Sequence, residues 1–207
     1  MYCQTFFIIE YSRFYMPRKH RTSSSNGLQK STGKPRTKRC AERVAVVPGS
    51  FDPLTHGHID IIERALGIFD RVVVGVLMNP SKTALFSDRE RVEIISRELA
   101  STYVGRLEVL SFSGLLVEFV RRVGSRVVIR GLRAISDFDY EAQMSLINHK
   151  LDPDVETLFL TAREEHSYIS STIVKQVALL GGDVTDMVPE RVAEALSKKR
   201  SGIMIRS

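Results

Sequence analysis

Short unbroken apolar runs alternate along the chain with stretches whose apolar residues return every third or fourth position. Val44-Ala45-Val46-Val47 and Val72-Val73-Val74-Gly75-Val76-Leu77 are runs of the first kind. Their length and β-branched composition predict strands buried on both faces. Residues 107–110, 126–129 and 155–160 extend the series to five. Between the runs, Ile59, Ile62, Ala65, Leu66 and Phe69 fall at helical spacing, as do Ile94, Ile95 and Leu99, and Leu115, Leu116, Phe119 and Val120. Ser87-Asp88-Arg89-Glu90 has the Ser-x-x-Glu spacing of a capping box and predicts where the second of these helices begins. A long helix is expected over roughly 137–151, stopped by Pro153, with two more near 171–180 and 189–198.

Strands alternating with helices imply parallel βαβ units joined by right-handed crossovers. The expected fold is α/β: a Rossmann-like, doubly wound sheet of five parallel strands with helices on both faces. Ligands in such sheets bind beyond the carboxyl ends of the strands, where the strand order reverses.

Composition divides the chain. Residues 1–43 hold ten Lys/Arg and two acids, a charge of +8, whereas residues 44–207 hold twenty Lys/Arg and twenty-two acids, a charge of −2. The basic character therefore belongs to the leading segment, and the body gives no case for binding nucleic acid. The leader is rich in Ser, Thr, Lys and Arg without sustained apolar periodicity, so residues 1–42 are expected to be a disordered basic extension. A transit peptide, a misassigned start and a bacterial extension all suit it. Residues 43–199 then form the domain and 200–207 a tail. Gly27 to Lys34 does not make a phosphate loop, because five residues separate Gly27 from Gly33 and Pro35 follows the lysine. Cys3 and Cys40 both lie in the leader, which leaves the body without a thiol nucleophile, a disulfide or a cysteine metal ligand. No apolar run approaches the ~20 residues that span a membrane, and a cytoplasmic protein is expected.

The candidate chemistry gathers after the strands. Pro48-Gly49-Ser50-Phe51-Asp52-Pro53-Leu54-Thr55-His56-Gly57-His58 joins the first strand to the first helix. A helix N-terminus offers free N–H groups and the positive end of its dipole to an anion. Ser50 can give a hydroxyl to a phosphate, Gly57 lets a ligand approach the backbone, and His58 can donate an N–H to a phosphoryl oxygen. The protonation of His58 is undecided, since the helix end opposes imidazolium and phosphates favour it.

Arg130-Gly131-Leu132-Arg133 follows the fourth strand and suits bidentate phosphate clamps. Glu141 lies one turn beyond Asp137 on the long helix and could accept from a ribose hydroxyl or hold an arginine. His166-Ser167-Tyr168-Ile169-Ser170-Ser171-Thr172 runs from the fifth strand into a helix; its hydroxyls read as N-caps or as a second phosphate cradle. Arg121 and Arg122 are assigned to a solvated helix face. There is no G-x-G-x-x-G after the first strand and no G-x-S-x-G elbow, which argues against hydride transfer and serine hydrolysis.

These segments together resemble the nucleotidyltransferases marked by Thr-x-Gly-His or His-x-Gly-His, here Thr55-His56-Gly57-His58. The further matches at Pro80-Ser81-Lys82, Arg130 to Arg133, Asp137-Phe138-Asp139-Tyr140-Glu141 and Ile169 to Thr172 are similar to the bacterial phosphopantetheine adenylyltransferases, over about 43–198. The resemblance implies transfer of an adenylyl group from ATP to 4′-phosphopantetheine with Mg2+, giving dephospho-coenzyme A and pyrophosphate. It places Ser50, Lys82, Leu116 and Arg130 on phosphopantetheine. It places Ser50, Phe51, His58, Gly131, Leu132, Arg133, Glu141, His166, Ser167, Tyr168, Ile169, Ser170, Ser171 and Thr172 on ATP. His58, Lys82 and Arg133 become the catalytic candidates, with no resident metal site, and the attack is expected to be in-line without a general base. Ser50 stands where Thr is frequent, and His166 where an aromatic such as Trp is common. A homohexamer of two trimers, and feedback by coenzyme A, enter through the resemblance alone.

Overall fold

The structure is a computed structural model that describes residues 41–78, 84–133 and 135–204. Residues 1–40 of the leader and Lys82 lie outside the described residues. Five strands, β1 Val44–Gly49, β2 Arg71–Leu77, β3 Leu107–Phe112, β4 Val127–Leu132 and β5 Glu156–Thr161, form one sheet in the order β3-β2-β1-β4-β5. All four pairings are parallel. The chain winds outward one way through β3, then returns to place β4 on the other side of β1. The order reverses between β1 and β4, so the crevice beyond their carboxyl ends is where this topology puts a ligand.

Among the described residues, six α-helices connect and cover the sheet: α1 His56–Ile68, α2 Asp88–Ile95, α3 Leu116–Arg122, α4 Ile135–Leu151, α5 Ser171–Leu180 and α6 Glu190–Met204. Ser87 caps α2 through the expected reciprocal bonds with Glu90. The helix expected to reach Leu99 does so, but its last turn, Ser96–Ala100, widens to π geometry. Helix α6 runs past Lys198 through much of the stretch set aside as a tail. No proline follows to stop it, and Ser201 bonds back to the Ser197 carbonyl at 3.1 Å.

Successive residues of a strand face opposite sides of a sheet, and the core divides accordingly. Ala45, Val47, Val72, Val74 and Val76 pack with α1, α5 and α6 on one face. Val44, Val46, Val73 and Val128 pack with α3 on the other. Buried on both sides, β1 and β2 have no polar alternation, which explains their continuous apolar runs.

Gly75 interrupts the β2 run for a steric reason. A Cβ there would stand 2.6 Å from Cε1 of Phe119 and 3.1 Å from Cε1 of Phe112. Those two rings stack with centroids 4.3 Å apart, and the glycine makes room for them. Arg121 and Arg122 lie exposed on α3 as expected, yet neither is merely solvated. Arg121 pairs at 2.6 Å with buried Asp152, and Arg122 sits 5.3 Å from the Phe119 ring centroid. Gly75→Ala is expected to cost about 1–3 kcal/mol of stability through overpacking, measured by urea unfolding. An unchanged midpoint would show that the ring pair yields freely.

Candidate active site

The turn after β1 is held open by its own buried charges. Phe51 adopts φ 47°, an unusual conformation for a bulky residue, and its ring is buried under Gly49. Buried Asp52 accepts from the backbone N–H groups of Leu85 (3.0 Å) and Phe86 (2.9 Å) and from Lys175 Nζ (2.8 Å). These bonds fasten the turn to the segment before α2 and to α5.

Thr55 is the N-cap of α1. Its hydroxyl accepts from the His58 backbone N–H at 3.3 Å, and its own backbone N–H donates to His58 Nδ1 at 3.1 Å. This is a capping box with histidine in the place of the usual Glu or Gln. A ring nitrogen that accepts a backbone N–H carries no proton, so in neutral His58 the proton sits on Nε2. Burial, then Arg133 and Arg130, lower the His58 pKa from 6.5 to about 4. The imidazole is neutral at physiological pH and presents one N–H donor.

From the other side of the switch point come the arginines. Arg130 gives Nε and Nη2 to the two carboxylate oxygens of Glu141 at 2.7 and 2.6 Å, and Nη1 to the Pro48 carbonyl at 2.7 Å. Arg133 donates to Asp137 at 3.0 Å and to the Ile169 carbonyl at 3.4 Å. Between them, a Cβ on Gly131 would stand 3.1 Å from Ile61 Cγ1, so the glycine allows β4 to approach α1. At the start of α5, Ser170 accepts from the Ile173 N–H, while Ser171 donates to the Pro53 carbonyl at 2.8 Å.

Together these elements enclose a cleft of about 530 Å³. Ser50, Phe51, His58, Arg130, Gly131, Arg133, Glu141 and Ile169 to Thr172 line it. Leu132, His166, Ser167 and Tyr168 do not. Leu132 ends β4; His166 packs against Gly57 and lies 6.2 Å, centroid to centroid, from His56. Ser167 is spent on the Glu164 carbonyl, and Tyr168 is exposed. Leu116 is half-buried against the second core cluster, away from the cleft lining. Among the described residues, no group of three His, Cys, Asp or Glu is placed to hold a metal ion.

The cytidylyltransferase-like family model matches residues 46–177, the region that carries the cleft. A phosphopantetheine adenylyltransferase of Clostridium tetani is 53% identical over 156 residues, covering 75% of this chain and 96% of that protein. One from Alkaliphilus metalliredigens is 52% identical over 157 residues, covering 76% and 99%. The chain belongs to the phosphopantetheine adenylyltransferase family. It is a nucleotidyltransferase. A solved structure from Vibrio parahaemolyticus, described as a candidate nicotinate-nucleotide adenylyltransferase, superposes with TM-score 0.55 at 13% identity. It covers 75% of this chain and 98% of that one and bears on the fold alone.

Within this adenylyltransferase fold, three polar residues outside the candidate ligand set hold the site. Thr55 fixes the His58 ring, Asp52 anchors the turn, and Arg91, buried in α2, donates to the Ser50 and Leu77 carbonyls. The Thr-x-x-His spacing was the available signal for the first; nothing local marks the other two.

A histidine whose folded pKa lies below its unfolded value gives stability that is complete above the unfolded pKa and lost as pH falls. His58 should therefore contribute fully above pH 6.5, with the contribution fading toward about 4. In unfolding measured across that range, His58→Gln should flatten this part of the acid slope. An NMR titration showing His58 protonated at pH 6 would contradict the assignment.

Proposed function

We propose that this family member moves the adenylyl group of ATP onto 4′-phosphopantetheine, forming dephospho-coenzyme A and pyrophosphate. The observation that carries the proposal is that His58, its Nδ1 taken up by the Thr55 N–H, lines one cleft with Arg130 and Arg133. A phosphate monoester is already nucleophilic at neutral pH and can attack the α-phosphorus in line. No general base is required. The bonding of the cleft agrees: Glu141 and Asp137 are engaged by Arg130 and Arg133, and His58 Nδ1 by the Thr55 N–H. What remains for the protein is positioning and charge neutralisation, as in other phosphoryl-type transfers. Holding both substrates in line can supply roughly 7–11 kcal/mol of the barrier. A donor aimed at the developing charge typically adds ~3–4 kcal/mol.

The division of labour follows the family. Ser50, Lys82, Leu116 and Arg130 hold phosphopantetheine; His58, Arg133 and the α5 N-terminus meet the triphosphate. The same reading keeps Leu132, Glu141 and residues 166–168 on the nucleotide side. Glu141 acts there through Arg130, which it orients at 2.6 Å. Mg2+ brought in with ATP would supply charge neutralisation on the phosphates; Glu141 and Asp137, the carboxylates lining the cleft, are bound to Arg130 and Arg133.

No helix of the described residues is long and apolar enough to cross a membrane, and a cytoplasmic enzyme fits its substrates. Self-association into the expected hexamer is supported by the outer apolar surface. Leu146 is 71% exposed on α4, with Phe138, Ile147 and Leu151 on the same helix and Leu158 on edge strand β5. So much exposed apolar surface on one helix and its neighbouring edge usually meets a partner. Feedback by coenzyme A would use the same cleft.

With ATP and 4′-phosphopantetheine, the protein should release pyrophosphate. Release only with nicotinamide mononucleotide, or only from CTP, would reassign it within the superfamily. His58→Ala should lower kcat by ~100-fold or more while ATP affinity changes far less; near-normal turnover would remove His58 from the mechanism. Leu146→Lys should reduce the mass found by light scattering, and an unchanged mass would place the interface elsewhere.

A further inference from the structure

Arg91 is a buried cation that the catalytic account leaves unused. The residue is 6% exposed, it does not line the cleft, and no carboxylate pairs with it among the described residues. All its hydrogen bonds run to backbone carbonyls: Ser50 at 2.6 Å, Leu77 at 3.1 Å and Ser87 at 3.4 Å. A buried charge without a counter-ion is costly. The carbonyl it grips most tightly belongs to the peptide that leads into Phe51, the one described non-glycine residue with positive φ. Strained backbone of this kind persists only where its surroundings enforce it, and it concentrates at functional sites.

In a trans peptide the carbonyl and the N–H point to opposite sides. With the Ser50 carbonyl drawn toward Arg91, the Phe51 N–H is turned away from α2. No protein acceptor takes that N–H among the described residues, and both Ser50 and Phe51 line the cleft. We propose that Arg91 is a positioning residue for the reaction: it locks the Ser50–Phe51 peptide so that the Phe51 N–H stands in the cleft as a fixed donor to a nucleotide phosphate. The guanidinium also polarises that peptide, which strengthens the N–H as a donor. Its second bond, to Leu77, ties the same peptide to the end of β2, from which the chain continues toward Lys82.

The inference rests on the adenylyl-transfer reading, and the test separates the two. Pyrophosphate binding by calorimetry and steady-state kinetics are measured for the wild type, Arg91→Lys and Arg91→Gln, with melting temperatures to establish folding. If the wild type neither binds pyrophosphate nor turns over, the reading of the site fails before Arg91 is reached. If the wild type is competent, folded variants should lose pyrophosphate affinity and kcat/KM for ATP on the order of 10-fold to 100-fold. The KM for phosphopantetheine should move much less, and lysine should retain more than glutamine. A purely structural arginine would lower the melting temperature and leave these parameters intact per folded molecule. Folded variants with wild-type values therefore overturn the proposal. Should neither variant fold, the wild-type enzyme crystallised with ATP decides: the Phe51 N–H within hydrogen-bond distance of a phosphate oxygen upholds it, and an N–H touching no phosphate refutes it.

Discussion

One hydrogen bond sets the chemistry of the cleft: the Thr55 backbone N–H given to His58 Nδ1. Helix α1 begins with N–H groups that need acceptors, and the chain meets part of that need with a ring nitrogen. The bond fixes the tautomer, orients the ring and makes the neutral form the one that satisfies the cap. Protonating Nδ1 would bring a donor against a donor. The two nearby arginines oppose the imidazolium further. A residue that looks in sequence like a switchable cation is thereby held as a neutral donor, and the positive charge of the site falls to guanidinium groups that never deprotonate.

Those guanidinium groups are themselves restrained. Three of the five N–H groups of Arg130 are committed, two to Glu141 and one to the Pro48 carbonyl, leaving two for a ligand. Such a side chain loses little further freedom when a phosphate arrives, so more of the interaction free energy appears as binding or catalysis. The pairs also reduce the net charge of the cleft. Glu141 and Asp137 are one turn apart on α4, so a single helix end orients both arginines on β4 and the loop after it.

The contrast between two capping boxes explains how far the sequence could be read. Ser87-x-x-Glu90 was legible because a carboxylate at the third helical position is the familiar partner. Thr55-x-x-His58 has the same spacing, yet histidine there reads as a ligand, and its structural duty became visible only in the bonds to Thr55. The strands were legible because β1 and β2 are covered on both faces and so carry unbroken apolar runs. The convergence of Ser50, His58, Arg130, Arg133 and the Ser170 region followed from the switch-point topology once the strands were placed. Asp52 and Arg91 were not legible, because the bonds that give each its role reach partners 33 and 41 residues away. Residues 166–168 lie outside the cleft lining: a 3-10 turn, Glu164–His166, precedes α5, and His166 sits against Gly57.

The buried polar groups therefore serve the site more than the core. Asp52 and Arg91 both take hold of the turn between β1 and α1, from opposite ends of the same short segment. One binds N–H groups and a lysine; the other binds carbonyls. An apolar core would bury that segment at lower cost, since replacing buried ionic groups by hydrocarbon is often neutral or stabilising. Hydrocarbon packing, however, has no direction and could not hold Phe51 at positive φ or choose which way a peptide plane faces. Directional bonds from buried charges can, and the turn they hold is the one whose Ser50 and Phe51 line the cleft.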